Sequence, residues 1–300
     1  MRASSTDTAR ATLLIVASAA SFGSLSALSL LTTRAGLPLI PSMLWRYLLA
    51  GAFLFVLMRR ERGGPVPLRK AAQLMLIGCL GQAAITYLSL YALNYLAVAP
   101  LAFLFYTYPA WLAITAAARG KEKLTYARVL ALVTAMIGIS VMIGAPSAES
   151  LNTTGVILAL GTAFLYSLYL PAIHSAQKDV PPFASTFFLI AGVASSFFVA
   201  ALVTGELQLP ATAKVWGYVL TMAGFCTVIA FSTLLAGLRR LGPVRTGIIA
   251  TVEPFFSAVA GVILLHEALT AGTLVGGALI ATAVILLHWH GARIKQTVAG

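Results

Sequence analysis

Long runs of apolar residues, separated by short polar stretches, recur along the whole chain. Each run is long enough for a helix of about 20 residues, which crosses roughly 30 Å of hydrocarbon. The runs lack the polar-apolar alternation of membrane barrel strands and are about twice as long, so the pattern predicts helices. The ten predicted helices are 11–33, 39–58, 71–93, 97–118, 125–144, 153–174, 184–204, 214–236, 243–265 and 270–289.

Composition agrees with this pattern. Of the 300 residues 60% are hydrophobic and only 9% are charged, and the mean hydropathy is +0.94. A water-soluble domain of this size cannot bury so much apolar surface. We therefore expect an all-α integral membrane protein with ten transmembrane helices, surrounded by the lipid bilayer.

The distribution of basic residues predicts the orientation. The formal net charge is +12, and 17 of the 20 Lys and Arg residues lie on the side of the membrane that holds the N-terminus. The opposite side has only Arg34 and Lys214, and Arg46 lies within the second helix. Because basic loops stay in the cytoplasm, both termini are expected there. The charge then needs no nucleic-acid partner.

The second half of the chain repeats the first at an offset of 145 residues. The matched pairs are Leu93 with Leu238, Leu96 with Leu241, Pro109 with Pro254, Glu122 with Glu267, Leu124 with Leu269 and Thr125 with Thr270. Five helices per copy is an odd number, so the second copy is expected to lie upside down relative to the first. The predicted organisation is a cytoplasmic N-terminus at 1–10, a first five-helix repeat at 11–144, a second, inverted repeat at 153–289 and a cytoplasmic C-terminus at 290–300.

Each copy places a glutamate, Glu122 or Glu267, in a short turn between two predicted helices. A threonine follows three residues later and can cap the next helix, and the carboxylate itself can accept hydrogen bonds from a helix N-terminus. Two roles for this repeated turn motif stay open. It is either a structural turn or a gate that contacts the other repeat.

Two prolines, Pro109 and Pro254, lie near the middle of the fourth and ninth predicted helices. Proline leaves the carbonyl four residues earlier without its helical donor, so both helices are expected to break there. Interrupted helices of this kind form substrate sites near the midplane of transporters built from inverted repeats. Kinks that only shape the helices are the alternative.

Glu253 is the one acidic residue placed deep within a predicted helix. The membrane interior penalises such a group, which makes it a functional candidate. It could carry a transported proton. It could also be static, bonded to the kinked backbone or paired with Arg46. The matching position in the first repeat is Tyr108, so no symmetric pair of carboxylates exists.

Arg46 and several aromatic residues complete the candidate cavity. Arg46 could bind a carboxylate through both guanidinium nitrogens, or it could snorkel to the outer headgroups. Aromatic side chains at mid-depth would favour flat or cationic solutes through stacking and cation–π contacts, although helix packing explains each of them singly. The aromatic candidates are Tyr87, Tyr91, Tyr108, Trp111, Tyr166 and Tyr169.

Other chemistry is not indicated by the sequence. It contains no His-Glu-x-x-His motif, no paired aspartates within the predicted helices and no phosphate-binding Gly-x-x-x-x-Gly-Lys loop, so an enzyme or an ATP-driven pump is not expected. No cofactor or metal is predicted. Gly272 and Gly276 in the tenth helix allow close helix packing, within the chain or in a homodimer.

The ten helices, the five-plus-five repeat, the Glu253-Pro254 pair and the two Glu-x-Leu-Thr turns together resemble the drug/metabolite transporter superfamily, in particular its EamA-type exporters. The chain is also similar to the bacterial aromatic amino acid exporters. This resemblance implies a secondary transporter in a bacterial inner membrane that exports amino acids or related small metabolites by alternating access. A broad-specificity exporter of drugs or quaternary amines is the alternative within the same fold.

Overall fold

The computed structural model describes residues 5–61, 63–92, 94–96, 98–120, 125–143, 152–266 and 270–297. Within these ranges the secondary structure is helical and contains no strand. The α-helices are α1 (Ser5–Arg34), α2 (Leu39–Arg60), α3 (Leu68–Leu76), α4 (Ala83–Ala92), α5 (Val98–Phe105), α6 (Tyr108–Ala118), α7 (Tyr126–Ile143), α8 (Thr153–Ala176), α9 (Pro182–Thr204), α10 (Ala213–Ala223), α11 (Ala230–Leu241), α12 (Pro243–Ala250), α13 (Glu253–Leu265) and α14 (Ala271–Thr297).

Several of these helices join end to end into longer helical segments, here called rods, that could span a bilayer. The described residues contain 8 helical segments that are long and apolar enough for this, together with two shorter apolar helices at Tyr126–Met142 and Ala271–Leu286. The protein is therefore a multi-pass membrane protein. The turn glutamates Glu122 and Glu267 lie outside the described residues.

Two of the rods contain a π-helical segment. Ile77–Gln82 joins α3 to α4, and Gly224–Ile229 joins α10 to α11. A π-helical turn shifts the backbone hydrogen bonds from i→i−4 to i→i−5, and such turns are frequent at functional sites. Both segments face helices from the other half of the chain, since α9 packs on the first and α2 packs on the second.

Two other rods are interrupted at equivalent positions. α5 ends at Phe105 and α6 begins at Tyr108, while α12 ends at Ala250 and α13 begins at Glu253. Phe105 and Ala250 are 145 residues apart, and so are Tyr108 and Glu253. Pro109 and Pro254 follow directly, in the first turn of the new helix, where proline is tolerated because its missing N–H would have no intrahelical acceptor.

The two halves of the chain contact one another over much of their length. α2 packs on α9, α7 packs on α14, and α1 packs on both α11 and α13. Glycine allows the closest approach. A Cβ atom at Gly78 would collide with the carbonyl oxygen of Leu189, and one at Gly192 would collide with the carbonyl oxygen of Met75. The backbones of the first π-helical segment and α9 are therefore in direct contact.

A carboxylate also joins the halves. The N-terminus of α9 follows Pro181, which provides no side-chain cap. Instead, Glu61 at the end of α2 accepts hydrogen bonds from the backbone N–H groups of Phe183, at 3.1 Å, and Ala184, at 3.3 Å. An acidic group at this position satisfies free donors and favours the positive end of the helix dipole.

Candidate functional site

Glu253 is the first residue of α13 and lies at the break between α12 and α13. Its side chain is half-buried, and among the described residues the structure records no hydrogen bond to its carboxylate. The carboxylate lies within electrostatic range of the hydroxyl groups of Tyr106, Tyr108 and Tyr166. The helix dipole of α13 favours a negative charge here, and no cationic side chain forms an ion pair with the carboxylate in the part of the chain that the structure describes.

Aromatic rings cluster at the break between α5 and α6. The Tyr108 and Tyr166 rings meet edge to face with centroids 4.7 Å apart, and Phe105 contacts both. Tyr169 extends the group, with its ring centroid 5.8 Å from that of Tyr166. We call Phe105, Tyr106, Tyr108, Tyr166 and Tyr169 the tyrosine cluster.

Two hydroxyls of the tyrosine cluster differ in their partners. The Tyr108 hydroxyl donates a 3.2 Å hydrogen bond to the carbonyl oxygen of Gly247 in α12, so it links the two interrupted helices. The Tyr169 hydroxyl is buried and has no hydrogen-bond partner among the described residues. It is therefore free to bond a solute or a water molecule, because a buried polar group left unpaired is costly.

Arg46 does not reach this cluster. Its guanidinium donates from Nε to Oγ1 of Thr227 at 2.6 Å and from Nη2 to the carbonyl oxygen of Cys226 at 3.0 Å. The side chain is only 1% exposed, so the prediction that it snorkels to the headgroups is wrong. The predicted alternative of an Arg46–Glu253 ion pair is not formed among the described residues.

The remaining aromatic candidates occupy two other places. Tyr87 and Tyr91 stack on each other with centroids 5.9 Å apart and line a separate cavity of about 530 Å³ together with Glu206. Trp111 packs edge to face on Phe164, with centroids 5.7 Å apart. The structure thus brings together Tyr108, Tyr166, Tyr169 and Glu253, and leaves Arg46, Tyr87, Tyr91 and Trp111 outside the group.

Sequence reasoning missed one contributor from α1. A Cβ atom at Gly23 would lie 2.8 Å from the backbone nitrogen of Ser257 and 2.9 Å from the carbonyl oxygen of Glu253. Only glycine allows α1 to approach the start of α13 so closely. The small residues of the first predicted helix were a signal of close packing, but they did not indicate which helix would be the partner.

The interrupted helices, with a lone carboxylate at the break, suggest a transporter, and comparison with known families decides the matter. The sequence matches the EamA-like transporter family over residues 9–144 and again over residues 153–289. The chain belongs to this family. One match covers each half of the chain, and each half contains one of the two helix breaks. Membership makes the protein a membrane transporter, which is a non-enzymatic role.

Relatives of this EamA-like protein include transporters from an archaeon and a bacterium. It is 28% identical over 193 residues to a protein named uncharacterized transporter from Archaeoglobus fulgidus, covering 64% of this chain and 67% of the relative. It is 25% identical over 274 residues to the uncharacterized transporter YyaM of Bacillus subtilis, covering 86% and 88%. A solved crystal structure shares the fold, with a TM-score of 0.78 and 19% identity over 95% of this chain and 98% of the other.

Proposed function

We propose that this EamA-like transporter moves small solutes that carry an ammonium group, amino acids among them, by alternating access. The observation that carries the proposal is the Glu253 carboxylate, which lies at a helix break, has no hydrogen-bond donor among the described residues and lies within electrostatic range of tyrosine hydroxyls. A carboxylate at membrane depth is costly unless it is paired. An ammonium group would supply the missing charge and the missing hydrogen bonds.

The tyrosine cluster supports the same class of solute. Aromatic faces attract cations through their quadrupole, with a gain of roughly 0.5–2 kcal/mol per contact. The rings of Tyr108 and Tyr166 contact each other, and both residues lie within electrostatic range of Glu253. A solute with an ammonium group and a flat side chain could therefore bond to the carboxylate and stack on a ring at once, which favours aromatic amino acids and amines.

The proposed architecture has ten membrane-spanning helices in two inverted five-helix halves, with both termini in the cytoplasm of a bacterial cell. Three observations support it. The helix breaks recur at an offset of 145 residues, the family match occurs twice, and Glu61 and Glu206 share that offset. Glu61 caps α9, and Glu206 lines a cavity beside Leu39 and Ile40, at the start of α2.

A transport assay tests this proposal. The purified protein in liposomes would be given labelled Phe, Trp, Thr and Met, and uptake and counterflow would be measured with and without an imposed pH gradient. Saturable flux that exceeds the flux in empty liposomes is expected for at least one aromatic member. Flux equal to that of empty liposomes for every member would refute the amino acid assignment.

A second candidate is an exporter of quaternary amines or cationic drugs. It is favoured by the position of Arg46, because its guanidinium is occupied by Thr227 and Cys226 and is not available for the carboxylate of an amino acid. Competition distinguishes the two candidates. If the site recognises only positive charge, phenethylamine and a trimethylated phenylalkylammonium ion should inhibit transport equally. If the site also binds the amino acid carboxylate, phenylalanine should inhibit transport best.

A further inference from the structure

A second, more polar cavity lies at the membrane face where α2, α6, α8 and α11 end, which we call the basic face. It has a volume of about 310 Å³ and lies between the end of α6, the end of α8 and the start of α12. This volume is at the lower end of the roughly 300–1,000 Å³ range of small-molecule sites. Neither the tyrosine cluster nor Glu253 lines it.

Two cationic side chains from different helices line this cavity. Arg119 follows the end of α6, and Lys178 follows the end of α8. The orientation rule accounts for basic residues anywhere on a cytoplasmic face, but it does not require two of them to converge on one cavity. Thr115 and Ser175 add hydroxyl groups to the wall, and no acidic residue is among the described residues that line it.

The nearest acid along the chain is already engaged. Asp179 directly follows Lys178, and it interacts electrostatically with Arg239 on α11. Arg239 also donates hydrogen bonds to the carbonyl oxygen of Val180 and to the hydroxyl of Ser185. The described lining of the cavity thus contains two cations and no acidic residue.

The start of α12 adds to this positive potential. Pro243 and Val244, the first two residues of α12, line the cavity. The first N–H groups of a helix have no intrahelical acceptor, and the N-terminus carries the positive end of the helix dipole. Pro243 has no N–H, so Val244 is the lining residue of α12 that can offer a backbone donor to an oxyanion, and Arg119 and Lys178 accompany it in the same cavity.

The basic cavity is displaced along α6 from the tyrosine cluster. Leu112, which is fully buried and lines the cavity, lies one turn beyond Tyr108 in α6, and Arg119 lies 11 residues beyond Tyr108. At 1.5 Å per residue this is about 16 Å along the helix. The basic cavity is thus distinct from the solute site proposed above.

We propose that the basic cavity binds a small oxyanion, a phosphate or carboxylate group held by Arg119, Lys178 and the start of α12. The group belongs either to a soluble anion or to the headgroup of an anionic phospholipid, because basic pockets between membrane helices bind such headgroups. This inference goes beyond the proposed transport function and does not depend on which solute is carried.

Binding measurements on the full-length protein test the inference without a transport assay. In the first arm, inorganic phosphate is titrated into protein in a neutral detergent and the heat of binding is recorded. In the second arm, the unfolding temperature is compared in nanodiscs of phosphatidylcholine alone and in nanodiscs that also contain phosphatidylglycerol. The double variant combines Arg119→Gln with Lys178→Gln, and Arg119→Lys preserves the charge. The control is Arg60→Gln, which removes an exposed charge on the same face.

Saturable phosphate binding that weakens at least about tenfold in the double variant assigns a soluble anion, because two charge-assisted interactions are removed. Stabilisation by phosphatidylglycerol alone, lost in the same variant, assigns a lipid headgroup. In both cases Arg60→Gln should behave as the original protein, and Arg119→Lys should retain most of the binding. The proposal is overturned if the double variant responds like the original protein in both arms.

Discussion

The Nε atom of Arg46 donates a 2.6 Å hydrogen bond to Oγ1 of Thr227, which joins α2 to the second π-helical segment. Thr227 in turn donates to the carbonyl oxygen of Met222, five residues earlier, and the carbonyl oxygen of Cys226 accepts from Nη2 of Arg46. The first segment has a matching contact, because Ser196 in α9 donates to the carbonyl oxygen of Cys79 at 2.9 Å. Each π-helical segment is thus bonded by a side chain from the other half.

Replacing Arg46 with glutamine should destabilise the protein without changing its selectivity. The variant loses hydrogen bonds to Thr227 and Cys226, and each hydrogen bond involving a charged group contributes about 1.5–3 kcal/mol. Thermal unfolding in detergent would measure the loss, with Arg59→Gln as the exposed control. A selective loss of flux for carboxylic acids over their amides would instead show that Arg46 binds the solute.

Replacing Glu253 with glutamine should weaken the binding of solutes that depend on their positive charge. The amide keeps the shape of the side chain but cannot pair with an ammonium group, and a lost charge-assisted bond of about 1.5–3 kcal/mol corresponds to roughly 10- to 150-fold in affinity. Counterflow in liposomes would measure it. If gradient-driven flux disappears while counterflow remains, Glu253 carries a coupled proton and does not bind the solute.

Replacing Tyr166 with leucine should lower transport of aromatic solutes more than transport of aliphatic ones. The change removes the ring that contacts Phe105 and Tyr108 and leaves a shorter apolar side chain. Aromatic pairs contribute about 0.5–1.5 kcal/mol beyond buried area. Tyr87→Leu is the comparison, because Tyr87 is 66% exposed and lies in another cavity. An equal loss for both solute classes would assign Tyr166 to packing.

Replacing Gly192 with alanine should destabilise the contact between the halves. The added methyl group would collide with the backbone of Met75, and overpacking costs typically about 1–3 kcal/mol. Gly161→Ala is a matched control in α8, where no atom lies within 4 Å of the added carbon, and it should be neutral or stabilising by up to about 1 kcal/mol. Equal unfolding temperatures for the two variants would contradict the prediction.

Replacing Glu61 with alanine should destabilise the start of α9. Loss of a helix cap costs about 0.5–2 kcal/mol, and Glu61 is the side chain that accepts from Phe183 and Ala184. Hydrogen exchange of the first turn of α9 would measure the effect locally. Glu61→Gln keeps an acceptor but loses the charge, so its exchange should be intermediate. Unchanged exchange in Glu61→Ala would show that water replaces the cap.

Much of the helical pattern could be predicted because hydrocarbon imposes a minimum apolar length. The breaks before Pro109 and Pro254 could also be predicted, because they depend on the local sequence alone. Proline removes a backbone donor at a known position. The partners of Arg46 could not be predicted in this way. Thr227 lies 181 residues away along the chain, and its availability depends on a π-helical turn that no periodicity in the sequence indicates.

The candidate site, too, could be predicted only in part from the sequence. The depth of Glu253 and of the tyrosines follows from their positions within apolar runs, but depth does not determine which helices are neighbours. Tyr87 and Tyr166 both lie within predicted helices, yet Tyr87 lines the cavity of Glu206 and Tyr166 packs on Tyr108. That separation arises from the packing of α4 and α8, which depends on contacts over the whole chain.

A pair of glycine contacts between α9 and the first half has a mechanical consequence. No side chain stands between Gly78 and the backbone of Leu189, or between Gly192 and the backbone of Met75, so α9 can turn against this part of the first half without a rotamer change at those points. Separating them would expose backbone to lipid, which is unfavourable. The pair can therefore act as a pivot about which one half tilts relative to the other.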